Sequence, residues 1–310
     1  MDPIAHTLAG AALARAGLDR RSPLALPTLL IAANLPDVDV VAYAWGETFA
    51  LAFRRGWTHG VLAWIVLPLV LTGVMLGWDR WVRRARGPTL APASATRLLA
   101  LSAIGVLSHP LLDLLNVYGI RLLMPFSDRW FYGDALFIAD PWLWLGLGAG
   151  VLVAGRRRQP RPARVALVVV GLYVAAMTAS ALAARSLVRR ETVAAGGEAG
   201  RIMVAPVPVN PFRRWVVVDD GTEYRVGDLD WLRPRVVSRD DLVALRIAAD
   251  DPRLAPLRER PEATRFLSWA RFPFFRVTER ETGVEVEIID ARYAVEADAP
   301  FGALSLTLPR

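Results

Sequence analysis

Up to about Arg189 the chain alternates long apolar runs with short arginine-rich connections; beyond it no long apolar run recurs. Gly60 to Trp78, Leu98 to Val117, Ala135 to Gly155 and Val165 to Leu187 are each predicted to cross a bilayer, since ~20 residues at ~1.5 Å per residue match a ~30 Å hydrocarbon core. Ile4 to Gly17 is apolar but shorter, broken by His6 and Thr7 and closed by Arg15 and Gly17. It is predicted to be a buried or re-entrant helix, and its small residues (Ala9, Gly10, Ala11, Ala12, Ala14) permit close helix approach. The run Leu24 to Ala33 leads into Asn34-Leu35-Pro36-Asp37-Val38-Asp39. Pro36 is expected to break or kink that helix, leaving Asp37 and Asp39 near the break.

The pattern after Arg189 changes to short stretches with strand character. Trp215–Val218, Glu223–Val226, Phe274–Thr278 and Val284–Ile289 are predicted strands, with Asp219-Asp220-Gly221 and Thr282-Gly283 as turns. Gly196-Gly197-Glu198-Ala199-Gly200 suits a flexible linker or a turn. The predicted fold is therefore mainly α: a polytopic membrane helix bundle over residues 1–188, followed by a β-rich soluble extracytoplasmic domain over residues 189–310.

Composition supports a membrane protein. Of 310 residues 54% are hydrophobic and 11 are Trp, too apolar for an ordinary soluble enzyme. The absence of cysteine excludes disulfides and thiolate metal sites. A net charge of +7 would suggest nucleic acid in a soluble protein. Here the arginines sit beside apolar runs and set orientation instead, so no nucleic-acid partner is expected. The positive n-region of a cleavable signal is missing, because no cationic residue precedes Arg15.

Two loops are strongly basic: Arg80, Arg83, Arg84, Arg86 and Arg97 in one, Arg156, Arg157, Arg158, Arg161 and Arg164 in the other. Placing both inside puts His59, His109 and Asp113 at the outer ends of their spans, with His6, Asp37, Asp39 and Asp140 toward the same side. Three histidines, all that the chain has, thus share one depth. Scattered core histidines would have no reason to do so.

His109 and Asp113 are spaced i, i+4 and lie on one helix face in a segment where ionisable groups are costly. Alone the pair suits a hydrogen-bonded contact better than a metal site; the shared depth reverses that. The predicted metal ligands are His6, Asp37, Asp39, His59, His109 and Asp113, nitrogen and hard-oxygen donors suited to one or two Zn²⁺, Mn²⁺ or Fe²⁺ ions. Asp39 or Asp140 is expected to handle protons, with Asp134 as a further candidate. For Asp140, before Pro141, helix capping is an equal alternative. Asn34 is a ligand or a loop residue. Among Arg54, Arg55, Arg121 and Arg129, Arg55 or Arg129 is expected to bind a phosphate, with lipid headgroups as the bland alternative. No Gly-rich phosphate loop, HExxH or GxSxG is present.

Five pieces of the chain together resemble the bacterial membrane-bound, metal-dependent hydrolases, a family with LexA-regulated inner-membrane members. They are His6-Thr7 with Gly10, Leu35-Pro36-Asp37-Val38-Asp39, Arg55-Gly56-Trp57-Thr58-His59, Ser108-His109-Pro110-Leu111-Leu112-Asp113, and Pro125-Phe126-Ser127 through Asp140-Pro141. That family is distantly similar to zinc-dependent phospholipases C and single-strand nucleases, whose HxxxD element matches His109 to Asp113. The resemblance, confined to residues 1–145, implies a metal-dependent hydrolase in the bacterial inner membrane, with membrane lipids as partners. A phospholipid or lipid-linked phosphate is the expected substrate. The alternatives are a metal-binding transporter or sensor, or a scaffold holding a structural ion.

Overall fold

The computed structural model describes every residue except 88, 199, 234–241, 281–282, 295–300 and 309–310. The chain divides into two compact units: Met1–Val41 with Arg54–Thr178, and Ala42–Phe53 with Ala179–Arg310.

The first unit is helical. It contains α1 (Pro3–Arg15), α2 (Ala25–Asn34), α4 (Ala63–Trp78), α5 (Arg84–Arg86), α6 (Ala95–Leu114), α7 (Pro141–Arg157) and the first half of α8 (Arg161–Ala194); α3 (Glu47–Phe53) belongs to the second unit. α2 packs on α1 and α6, α4 packs on α6, and α7 packs on α1. Two glycines allow the close approach. A Cβ on Gly10 would stand 2.7 Å from the Leu29 carbonyl oxygen, and one on Gly105 would collide with the Ala32 side chain. Through these contacts α2 draws the backbones of α1 and α6 to itself, which brings His6 and His109 together.

Among the described residues four helices are long and apolar enough to cross a membrane: Ala25–Trp45, Ala63–Arg86, Ala95–Leu114 and Arg161–Ala194. The set differs from expectation at two places. The α-helix breaks before Pro36 as expected, but α2 passes at Leu35 into a 3₁₀ stretch running to Trp45, and the two together reach an unexpected spanning length. Conversely, Ala135–Gly155 does not form one span. Helix α7 starts only at Pro141, capped by Asp140, and its 17 residues rise ~25 Å.

The expected boundary at residues 188/189 also moves. α8 runs on to Ala194, and Ala181, Ala184 and Val188 pack against Ile202, Val204, Val216, Val218 and Leu229. An apolar helix face reads alike whether it meets lipid or a sheet, so composition alone put the change too late.

The second unit holds two antiparallel sheets. One has the order β1-β2-β3-β4 (Ile202–Pro206, Arg213–Asp219, Glu223–Asp230, Val243–Arg246), the other β5-β6-β7 (Pro273–Arg280, Gly283–Asp290, Ala303–Leu308). All four predicted strands lie inside β2, β3, β5 and β6. The Asp219–Gly221 turn forms as expected, with the Asp220 carboxylate accepting from Thr222 and Glu223 N–H and Gly221 at φ +96°. Thr282 and Ala199, in the other expected turn and in the linker, lie outside the described residues. Helix α9 (Pro261–Trp269) packs on α3 and was not expected from the sequence.

Candidate metal centre

Helix α6 carries His109 and Asp113 on one face, and the His109 Nε2 lies 3.4 Å from Asp113 Oδ2. The spacing predicted that much. The turn at Arg54–Gly60 adds His59, whose Nε2 is also 3.4 Å from Asp113 Oδ2 and 3.1 Å from His109 Nε2. The 3₁₀ stretch adds Asp37, its Oδ1 3.8 Å from His109 Nε2 and 3.9 Å from His59 Nε2. Helix α1 adds His6, stacked on His109 at 3.6 Å with its Nε2 3.3 Å from Asp113 Oδ1.

Hydrogen bonding on the far side of each ring decides what these atoms are. His109 Nδ1 lies 2.7 Å from the Ala33 carbonyl, which can only accept, so Nδ1 carries the proton. Thr58 Oγ1 lies 3.1 Å from Asp39 Oδ2 and 2.9 Å from His59 Nδ1. The carboxylate can only accept, so the hydroxyl donates to Asp39 and receives the Nδ1 proton of His59. Both neutral rings therefore present bare lone pairs at Nε2, 3.1 Å apart, with no proton between them. Burial, and next the neighbouring His109, hold His59 well below the usual histidine range, which keeps it neutral.

Two lone pairs and a carboxylate oxygen converging in a dry interior repel one another unless a cation lies among them. The spacings suit one. Ligand atoms in a tetrahedral site with bonds of ~2.0–2.1 Å are ~3.3 Å apart, and five of the separations here run from 3.1 to 3.9 Å. Both His6 ring nitrogens and Asp113 Oδ2 are buried without a hydrogen-bond partner. The protein brings positive charge to the other carboxylate oxygen: Asp113 Oδ1 lies 3.3 Å from Arg55 Nη2. Two groups of three have ligand atoms close enough to hold a divalent ion, His6 with His109 and Asp113, and Asp37 with His59 and His109, and the two share His109.

The remaining expected site residues fall elsewhere. Asp39 stands behind the cluster rather than in it. In a 3₁₀ helix of 3.0 residues per turn, positions two apart point 120° from each other, so Asp37 faces the Nε2 atoms while Asp39 reaches Nδ1 of His59. Asp39 also accepts from Arg54 Nε and the Arg55 N–H. Arg55 turns inward, donating to Asn116 Oδ1 and the Gly119 carbonyl beneath the Tyr118 ring. Asp140 is a cap: Oδ1 accepts from Leu143 N–H and Oδ2 from Tyr173 O–H. Arg129 is exposed above Phe131. Asp134 is buried in a turn at φ +53°, and Asn34 pairs with Thr7. Thr58, Asn116 and the Ala33 carbonyl carry roles that no residue-type argument assigned. Their signal lay only in adjacency to His59, Asp113 and the α2 terminus.

A family model described as YdjM inner membrane protein matches residues 1–184. The chain belongs to the YdjM inner membrane protein family. The match takes in His6, Asp37, His59, His109 and Asp113, and the membrane location expected from the apolar runs follows from the family together with the four candidate spans. The chain is also similar to the uncharacterized protein YfhP of Bacillus subtilis (strain 168), with 22% identity over 278 residues, 89% of this chain and 79% of the relative. No solved structure matches it.

Proposed function

We propose that this YdjM-family protein is an integral-membrane, metal-dependent hydrolase that cleaves a phosphoester of a phospholipid or lipid-linked phosphate. The observation that carries the reading is the facing pair of unprotonated Nε2 atoms beside Asp113 Oδ2 and Asp37 Oδ1. His59, His109, Asp113 and Asp37 would hold the ion, Zn²⁺ in first place, and a bound ion would bring its water toward a neutral pKa and so supply hydroxide.

The chain's own residues do the rest. Ala33 and Asp39 fix the two rings in the tautomer that points Nε2 inward. Arg55 holds Asp113 Oδ1, which leaves Oδ2 for the ion and favours one ion per chain over two. Asp37 is placed to take a proton at its second oxygen, while Arg54, bonded to Asp37 and Asp39, is the guanidinium beside the half-buried edge. In the net reaction water adds to phosphorus, the P–O ester bond breaks and the alcohol leaves with a proton. If α7 crosses as a fifth span beside the four candidates, both arginine-rich loops lie inside, this chemistry lies at the outer face and the β-rich unit lies outside the cytoplasm. The experiment is hydrolysis of phospholipids and generic phosphodiesters by metal-loaded protein, beside His109→Ala; well-folded protein that binds no divalent metal would sink the reading.

A transporter needs ionisable residues continuing through the membrane. Ala63–Trp78, Leu98–Leu107 and Val165–Met177 contain no Asp, Glu, His, Lys or Arg, which favours the enzyme.

A further inference from the structure

The convergent ligand atoms are sealed from every side but one. The side chains of His6, His59, His109 and Asp113 have no exposed surface, whereas Asp37 keeps 17%. Asp37 also lines an open groove of about 510 Å³. Its walls are Leu30, Ile31, Leu35 and Val38, with Ile31 and Val38 about half exposed. The one other polar feature is the Thr7–Asn34 pair, which bond to each other and, through Asn34, to the Leu30 carbonyl.

Six of the seven lining residues belong to the candidate span Ala25–Trp45, so with that helix in a bilayer the groove faces lipid. An aqueous solute would have to reach Asp37 along an apolar wall with little to bind it. A lipid would gain on the same path, since each buried CH₂ contributes ~0.8 kcal/mol.

We propose that this groove seats one acyl chain of a membrane phospholipid, bringing the lipid's phosphoester laterally to Asp37. The inference rests on the hydrolase reading for what happens next, but not for the binding itself. It narrows the substrate to molecules that arrive within the membrane plane. It also gives the Thr7–Asn34 pair a role: the two satisfy each other, so that no unmatched polar group faces the chain.

The test is photolabelling of the full chain in phosphatidylethanolamine–phosphatidylglycerol vesicles doped with a phospholipid bearing a diazirine on one acyl chain. Peptide mapping compares residues 30–38 with Ile65, Leu69 and Val70, exposed residues of α4 that serve as the ordinary lipid-facing surface. Severalfold enrichment in residues 30–38 is expected. A doubly filled groove, Ile31→Trp with Val38→Trp, should reduce it to the α4 level while metal content stays unchanged. Equal labelling of the two faces in the wild type overturns the proposal, and so does enrichment that survives in a filled groove of normal metal content. Enrichment without phosphoester cleavage would keep the groove and remove the hydrolase, so the two claims fail separately.

Discussion

Each unit of this protein buries charge, and the two do so in opposite ways. In the β-rich unit Arg292 and Asp290 are buried as a closed pair. Asp290 Oδ2 accepts from Arg292 Nε at 2.9 Å and from the Arg271 N–H at 2.6 Å, Oδ1 accepts from the Arg292 N–H, and Arg292 Nη2 donates to the Trp269 carbonyl. The guanidinium lies 4.5 Å over the Trp269 ring. Each of these hydrogen bonds joins a donor to an acceptor. In the helical unit His59, His109 and Asp113 are as deeply buried, yet they present acceptors to acceptors, and Asp113 Oδ2 makes no hydrogen bond. A buried polar cluster that serves only the fold is expected to satisfy itself. One that converges unmatched lone pairs is arranged for something it binds.

The comparison predicts opposite phenotypes, and the largest effects test it most directly. His109→Ala should abolish stoichiometric metal and lower any phosphoesterase activity by at least ~10²-fold, on the scale at which even outer-shell partners of a metal matter. The folded fraction should remain, because a repulsive lone pair has been removed. Arg292→Met should do the reverse. It strands the Asp290 carboxylate, for which ~3–5 kcal/mol of destabilisation is the usual scale, while membrane-inserted protein still binds metal. Plasma mass spectrometry of the metal and thermal unfolding of the same samples separate the two. If His109→Ala destabilises as Arg292→Met does and keeps its ion, the distinction between the clusters is wrong.

Adding the cation should relieve the repulsion in one unit only. Zinc at about 100 times its dissociation constant should stabilise the wild type by ~2.7 kcal/mol, read as a rise in the unfolding temperature that Asp113→Asn removes. The wild type should bind one ion per chain. A ratio of two would show that Arg55 does not hold the second carboxylate oxygen against another ion.

Much of this was legible beforehand, and the exceptions have physical reasons. The His109–Asp113 spacing and the common depth of His6, His59 and Asp37 follow from helix periodicity and the arginine loops, which act over one turn or one span. Asp39 could not be separated from Asp37, because the 3₁₀ winding that aims them apart is invisible in a run that reads equally well as α-helix. The burial of Arg55 was not legible, because its partners, Asn116 and the Gly119 carbonyl, lie more than sixty positions away. Strands β1 and β4 carry no clear alternation, whereas β7 does, with Leu304, Leu306 and Leu308 separated by Ser305 and Thr307. Asp39→Asn tests the sharpened assignment: it should leave a bound ion but weaken it ~10–100-fold, as loss of an orienting carboxylate does. Metal loss as complete as in His109→Ala would return Asp39 to the ligand set.

The smallest expected effect concerns Asp140, which the sequence allowed as either cap or proton carrier. Its oxygens are occupied by Leu143 N–H and Tyr173 O–H at 3.0 and 2.9 Å, so the carboxylate joins the start of α7 to α8. Asp140→Ala should therefore cost ~0.5–2 kcal/mol, the value of an N-cap, and Tyr173→Phe should cost less. Neither should change metal content, nor the pH dependence of any phosphoesterase activity once corrected for folded protein. A proton carrier would behave differently, because its loss removes a limb of the pH–rate profile while leaving stability nearly alone. Such a profile would move Asp140 from the fold into the chemistry and leave the closed-cluster rule with an exception inside the helical unit itself.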